Sequence, residues 1–145
     1  MAISSAICNS FKQELLVGTH NFTASSGDTF KIALYTSSAS LGASTTAYST
    51  SNEISNTSGS AYSAGGATLT SVTPVLSGST AVCDFNDVSF TSASFTANGC
   101  LIYNDDQSDK AVAVIAFGGD KTVSSGTFTI QFPAADASNA IIRLA

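Results

Sequence analysis

One histidine, one run of carboxylates and three cysteines are the side chains here with the most evident chemistry. His20 is alone, so a two-histidine metal site cannot form within the chain. It reads as a capping or loop-packing residue rather than a catalytic base. Asp105-Asp106-Gln107-Ser108-Asp109 gathers three carboxylates, and a calcium ion takes roughly six to eight oxygens. The run lacks the glycine and the closing bidentate glutamate of an EF-hand loop, and it lies between two strong strand patterns. It reads as the solvated tip of a hairpin. Asp84 and Asp87 flank Phe85-Asn86. Paired carboxylates can perform glycoside acid–base chemistry in an aromatic-lined cleft, but the chain has no tryptophan, and Asx-type turn capping is the simpler role. Tyr35, Tyr48, Tyr62 and Tyr103 are candidates for a sugar-stacking platform, yet they are scattered along the sequence. Asn21-Phe22-Thr23 matches a glycosylation sequon that carries meaning only with secretion. A glycine-rich phosphate loop, a Cys-x-x-Cys pair and a nucleophile elbow are all missing. These residues lead to the expectation of a non-enzyme with no cofactor and no metal.

The elements that would position these groups are mostly strands. Ser10-Phe11-Lys12-Gln13 has the form of a capping box, and FKQELLV runs to Gly18, a good helix stop. Phe11 and Leu15, with Ile7 before them, share one face, which predicts one short helix at about residues 10–17. From Thr29 onward the period is two. Phe30, Ile32 and Leu34 point one way and Lys31 and Ala33 the other, the pattern of a half-buried strand. Residues 36–66 are rich in Ser, Thr, Gly and Ala and carry isolated Leu41, Tyr48, Ile54 and Tyr62. A loop of that length needs a function or a partner to hold it. Strand signals then recur at 67–73, 80–85, 88–96, 99–104, 110–117, 126–132 and 140–144. Turn signals separate them at Gly78, Asn86-Asp87, Asn98-Gly99, the Asp105–109 run, Gly118-Gly119 and Gly126, with Pro74 and Pro133 at strand ends. KAVAVIAF at 110–117 is apolar on both faces and belongs in the middle of a sheet. The expected fold is an all-β antiparallel sandwich, jelly-roll or immunoglobulin-like, with one short N-terminal helix. Residues 1–28 would form an arm with the helix, and residues 29–145 a single sandwich domain with the long loop at 36–66.

Composition narrows the function. Only 10% of residues are charged, against roughly 25% in an ordinary soluble domain, and nearly three residues in ten are Ser or Thr. Such a surface loses little side-chain entropy when a partner covers it. The net charge of −5 comes from scarce bases. The five, Lys12, Lys31, Lys110, Lys121 and Arg143, are scattered, so the basic footprint of a nucleic-acid binder is missing. No apolar run approaches a membrane span, and the first residues lack a secretory pattern. Synthesis and folding in a cytoplasm are expected. Cys83 and Cys100 sit inside apolar strand patterns and read as small buried hydrophobes rather than a disulfide.

The segments FKQELLVGTHNF, FKIALYTSSASLGASTTAYSTSNEI, YSAGGATLTSVTPVLSG and TFTIQFPAADASNAIIRLA resemble a family of small virion structural proteins of tailed bacteriophages, over nearly the whole chain. The resemblance implies a capsid decoration, or cement, protein on the outer shell, and less often a tail, adaptor or fibre component. It brings no catalytic motif. Its implied partners are the major capsid protein and further copies of itself, as a homotrimer, while the composition sets nucleic acid and membrane aside. Size and surface chemistry point to Ile3, Ile7, Phe11, Leu15, Leu41, Tyr48, Ile54 and Tyr62 as the contact residues. Each would serve equally well packed against its own sandwich. A surface carbohydrate-binding module is the reading from another class.

Overall fold

The computed structural model describes residues 2–55 and 59–145; Met1 and residues 56–58, the latter inside the long loop, lie outside the described residues. Two antiparallel sheets face each other, as the period-two pattern requires. The larger has strand order β1-β7-β6-β2-β3 and the smaller β4-β5-β8. The strands are β1 (Ala6–Ile7), β2 (Phe30–Tyr35), β3 (Ala67–Thr68), β4 (Ser71–Ser77), β5 (Thr80–Phe85), β6 (Val88–Asn104), β7 (Lys110–Ile130) and β8 (Ile142–Leu144). One helix, α1 (Asn9–Leu16), follows β1. The fold is an all-β antiparallel sandwich with one short helix.

The helix begins differently from the capping-box expectation. Its N-cap is Cys8, in extended backbone with no side-chain cap, and the Ser10 hydroxyl is buried without a partner. The cause is tertiary. β1 pairs Ala6 with Val114 and Ile7 with Ala113, and the Cys8 N–H donates to the Val112 carbonyl at 3.0 Å, so sheet pairing decides where the helix can start. The end follows local chemistry. Gly18, at φ +76°, donates to Leu15 O while Thr19 N donates to Glu14 O. That is a Schellman motif, and it needs the left-handed backbone glycine adopts freely. Residues 1–28 therefore do not stand apart as an arm, because β1 belongs to the larger sheet and Phe11 to the core.

Three strand expectations change. β2 is buried on both faces apart from half-buried Lys31, because it lies between β6 and β3 with both sides covered. Pro74 lies inside β4 rather than at its end. It sits at the irregularity between Val72 and Val75 on an edge strand, where a residue without an N–H costs no ladder bond. The segments 88–96 and 99–104 form the single strand β6, and 110–117 joins 126–130 in β7. The signals at Asn98-Gly99, Gly118-Gly119 and Gly126 mark irregularities in this ladder, whereas Gly78 makes the turn between β4 and β5 as expected. Opposite Asn98 alone, β7 inserts Phe117, Gly118, Gly119 and Asp120, since Ala97 pairs with Lys121 and Gly99 with Ala116. Extra residues in a ladder bend and twist it without ending it. The turn between β6 and β7 is the Asp105–109 run, closed by the Asn104–Lys110 pair. As KAVAVIAF implies, residues 111–114 are buried.

The loop at 36–66 lies between β2 and β3 and is tied to the chain's own body. Ile54 N donates to Leu34 O, Tyr48 N to Asp109 O, and Ser94 N to Ser60 O. Ile3 and Leu41 form a parallel bridge.

Candidate functional site

His20 is the hub of a buried polar network rather than an open base. Its side chain is wholly buried, with Nε2 2.9 Å from Glu14 Oε1. Asn104 Nδ2 donates to His20 Nδ1 at 2.9 Å and to Asp28 Oδ2 at 2.8 Å. Since Nδ1 accepts, the network assigns the ring proton to Nε2, which donates to Glu14. Neither nitrogen is free to take a proton from a substrate. The rings of Phe11 and Phe30 lie 4.9 and 6.3 Å from the imidazole. The group pins the connection between α1 and β2 to the end of β6.

Asp28 receives three hydrogen bonds, from Asn104, Gln107 Nε2 and the Asn21 N–H. Burial acts to raise its pKa, but these donors outweigh it and hold the carboxyl below its usual value. A depressed folded-state pKa supplies stability above the ordinary carboxylate range and loses it as pH falls through the folded value. The protein is therefore expected to weaken on acidification below about pH 4, and Asp28→Asn should flatten part of that dependence. Urea midpoints at pH 7 and pH 3 measure it; an unchanged pH slope in the variant would refute the assignment. Asp136, lowered by Asn139 and Ser138, adds a smaller share because it is exposed.

The carboxylates of the hairpin tip point to separate partners. Asp105 lies 3.6 Å from Lys31 Nζ, and Asp106 Oδ2 accepts from Thr29 N at 2.6 Å. Among the described residues no group of three His, Cys, Asp or Glu side chains converges on a common point. Asp87 does not cap its own turn: its Oδ1 accepts from Phe132 N at 2.8 Å, across to the segment after β7. The Asp84 Oδ1 is buried without a partner. All three cysteines are free. Burial pushes Cys8 and Cys83 up to about 11 and Cys100 up to about 12, so the thiols stay protonated and poorly nucleophilic.

The tyrosines scattered in sequence meet in space. Tyr48 stacks on Tyr103 with ring centroids 4.6 Å apart. Glu53 takes the Tyr48 hydroxyl on Oε2 at 2.7 Å, and on Oε1 it takes the Tyr62 hydroxyl at 2.6 Å and Gly65 N at 2.7 Å. Tyr103 donates to Gly65 O and Tyr35 to Ser49 O, both at 2.7 Å. Burial first, then Glu53, raises the Tyr62 and Tyr48 pKa values. Tyr35, Tyr62 and Tyr103 are buried, so they present no platform for a sugar. Sequence reasoning missed Glu53; one carboxylate amid thirty hydroxyl-rich residues was the available signal.

The eight expected contact residues turn mostly inward. Phe11, Ile54 and Tyr62 are buried in the core and offer a partner nothing, because the chain's own sheets cover them first. Ile3, Ile7, Leu15, Leu41 and Tyr48 are half-buried and pack against the same core. Gly99 leaves the space Ile3 fills: a Cβ there would lie 2.7 Å from Ile3 Cγ2. The exposed apolar surface lies elsewhere. Leu16 is 90% exposed, Leu76 72% and Leu144 58%. Leu76 and Leu144 both pair with Ala81, which puts them on one face of the smaller sheet. Leu16 and Leu144 line one largely apolar cleft of about 290 Å³ with Ile142, with Lys12 and Arg143 at its side, and with three of the expected contact residues, Ile7, Phe11 and Leu15, of which Phe11 is reached only at the cleft floor. A ledge of open aliphatic side chains thus runs from the end of α1 across the smaller sheet.

This fold and this surface define a small all-β antiparallel sandwich protein whose open chemistry is apolar contact. No family model matches the chain, and neither a curated protein nor a solved structure matches it. Among the described residues, no helix is long and apolar enough to cross a membrane.

Proposed function

We propose that this protein is a decoration, or cement, protein of a bacteriophage capsid, made in the host cytoplasm and bound to the outer shell. It stabilises contacts between major capsid protein subunits, and its partners are that protein and further copies of itself. The observation that carries the reading is the aliphatic ledge of Leu16, Leu76 and Leu144 on a molecule with few charged side chains. Uncovered leucines gain about 2 kcal/mol each on burial, and hydroxyl-rich surroundings are desolvated with little entropy loss. The family resemblance of the sequence supplies the particle. Mechanistically, a protein that binds only the assembled lattice stabilises that lattice by linkage, and many modest contacts add through avidity.

Reconstruction of the particle that carries the protein tests this. Density for it is expected on the outer shell against the major capsid protein at repeated local symmetry axes. Particles lacking it should release their genome at lower temperature. A location confined to the portal vertex or tail, or equal heat resistance without it, would overturn the reading.

A further inference from the structure

Asn104 is completely buried, and its backbone is paired on both sides, with Phe30 of β2 and Lys110 of β7. Only its amide is free to turn. Every bonding direction of that amide is in use. Nδ2 donates one hydrogen to His20 Nδ1 at 2.9 Å and the other to Asp28 Oδ2 at 2.8 Å, while Oδ1 accepts from Asp106 N at 3.1 Å. One side chain thus joins the segment after α1, the segment before β2 and the hairpin tip.

This pattern has room for one ring proton. With Nε2–H directed at Glu14 Oε1, 2.9 Å away, Nδ1 must keep its lone pair for Asn104. A proton added there from solvent sets two donors against each other. Turning the amide over brings Oδ1 to the new N–H, but it also sets Oδ1 against the Asp28 carboxylate and Nδ2 against the Asp106 N–H. Both of those hydrogen bonds are then lost, and buried polar groups without partners are costly. The titratable groups that face His20 are Glu14 on α1 and Asp28 before β2, which feels the ring's charge. The remaining sides present the rings of Phe11, Phe22 and Phe30 and, from β6, neutral Asn104. Two carboxylates attract an imidazolium while the hydrogen-bond pattern excludes one, and such opposition is what a proton switch requires.

We propose that Asn104 is a proton-sensitive clasp: a second proton on His20 turns its amide over and frees the hairpin tip at Asp106 from the connection that anchors α1. The moving part is small because the backbone of residue 104 stays in its ladder. Its effect reaches further, since α1 and the tip are held to each other through this one amide. The device does not depend on what the surface of the protein meets.

The test is an NMR titration of the full chain that follows the His20 ring nitrogens, the Asn104 side-chain amide and the Asp106 backbone amide together. At neutral pH the ring is expected to show Nε2–H with Nδ1 unprotonated. As it gains the second proton, the other two signals should shift with the same midpoint. Protection of the Asp106 amide, corrected for the intrinsic pH dependence of exchange, should fall about tenfold over that step. His20→Gln offers a donor to Glu14 and an acceptor to Asn104 but takes no proton, so it should abolish the shared step and leave the titration of Asp28 in place. Nδ1–H at neutral pH, a ring that stays neutral until the whole chain unfolds, or ring titration without movement at Asp106 would each overturn the proposal. An unchanged Asp106 response in the folded His20→Gln variant would do the same, because Asp28 alone would then be the trigger.

Discussion

Gly66→Ala is expected to cost about 3–5 kcal/mol of stability, more than any other single change considered for this fold. Gly66 adopts φ +79°, and a Cβ there would lie 1.8 Å from the Ile32 carbonyl oxygen and 2.8 Å from Ala33 Cα. Both obstacles are backbone atoms of β2, so no side-chain rotation relieves them. The chain passes this close because Ala67, the next residue, pairs with Ile32 and the Gly66 N–H donates to Ser63 O. Making room means pulling β3 off β2. Gly118→Ala is the control: φ there is +76° with nothing within 4 Å of the added carbon, so only the left-handed strain of about 1–2 kcal/mol applies. Urea unfolding of both variants separates strain from collision. Equal losses would mean that the close approach of residue 66 to β2 is wrong.

Glu53→Ala is expected to cost about 3 kcal/mol and to lower Tm by roughly 10 °C. The carboxylate serves two tyrosine hydroxyls and the Gly65 amide, and hydrogen bonds to a charged acceptor are the stronger kind. Alanine leaves those donors facing one another inside the loop. Tyr62 suffers most, since it is buried and its oxygen also accepts from Leu34 N at 2.9 Å. In the variant Tyr48 and Tyr62 should ionise at lower pH, because the raising influence of Glu53 is gone. Tyr35 and, more weakly, Tyr103 should follow, since Glu53 raises them too, and spectrophotometric tyrosine titration reads the combined shift. A Tyr48→Phe, Glu53→Ala double-mutant cycle should show coupling of about 1 kcal/mol. Additive effects would mean that the loop is held by apolar packing alone.

These two residues mark where sequence reading stops. Gly66 belongs to a Gly-Gly pair that any turn would explain, and only the passing of β2 beneath it shows why alanine is excluded. Glu53 lies in a stretch with the composition of a flexible linker, yet its partners lie five, nine and twelve residues away, at no helical or strand spacing. Three of the expected contact residues, Phe11, Ile54 and Tyr62, turn inward for a related reason. The spacing of Phe11 and Leu15 defines one apolar face, but a face does not state whether it meets the chain's own sheet or a partner. The structure gives Phe11 to the core and leaves Leu16, one residue off that face, exposed. Asn98-Gly99 and Gly118-Gly119 are turn signals that, sitting opposite each other, become a bulge in a continuing ladder.

What the sequence determined by itself is whatever depends on near neighbours. The period-two alternation made the strands, Gly18 ended the helix, and the Asp105–109 run made the hairpin tip. The shortage of charge set the surface chemistry. The tertiary structure alone decided which apolar faces close on each other and where four distant tyrosines meet. Burial and strand pairing join residues far apart in the chain, and the free energy of such contacts depends on whole surfaces fitting together, which no local window contains.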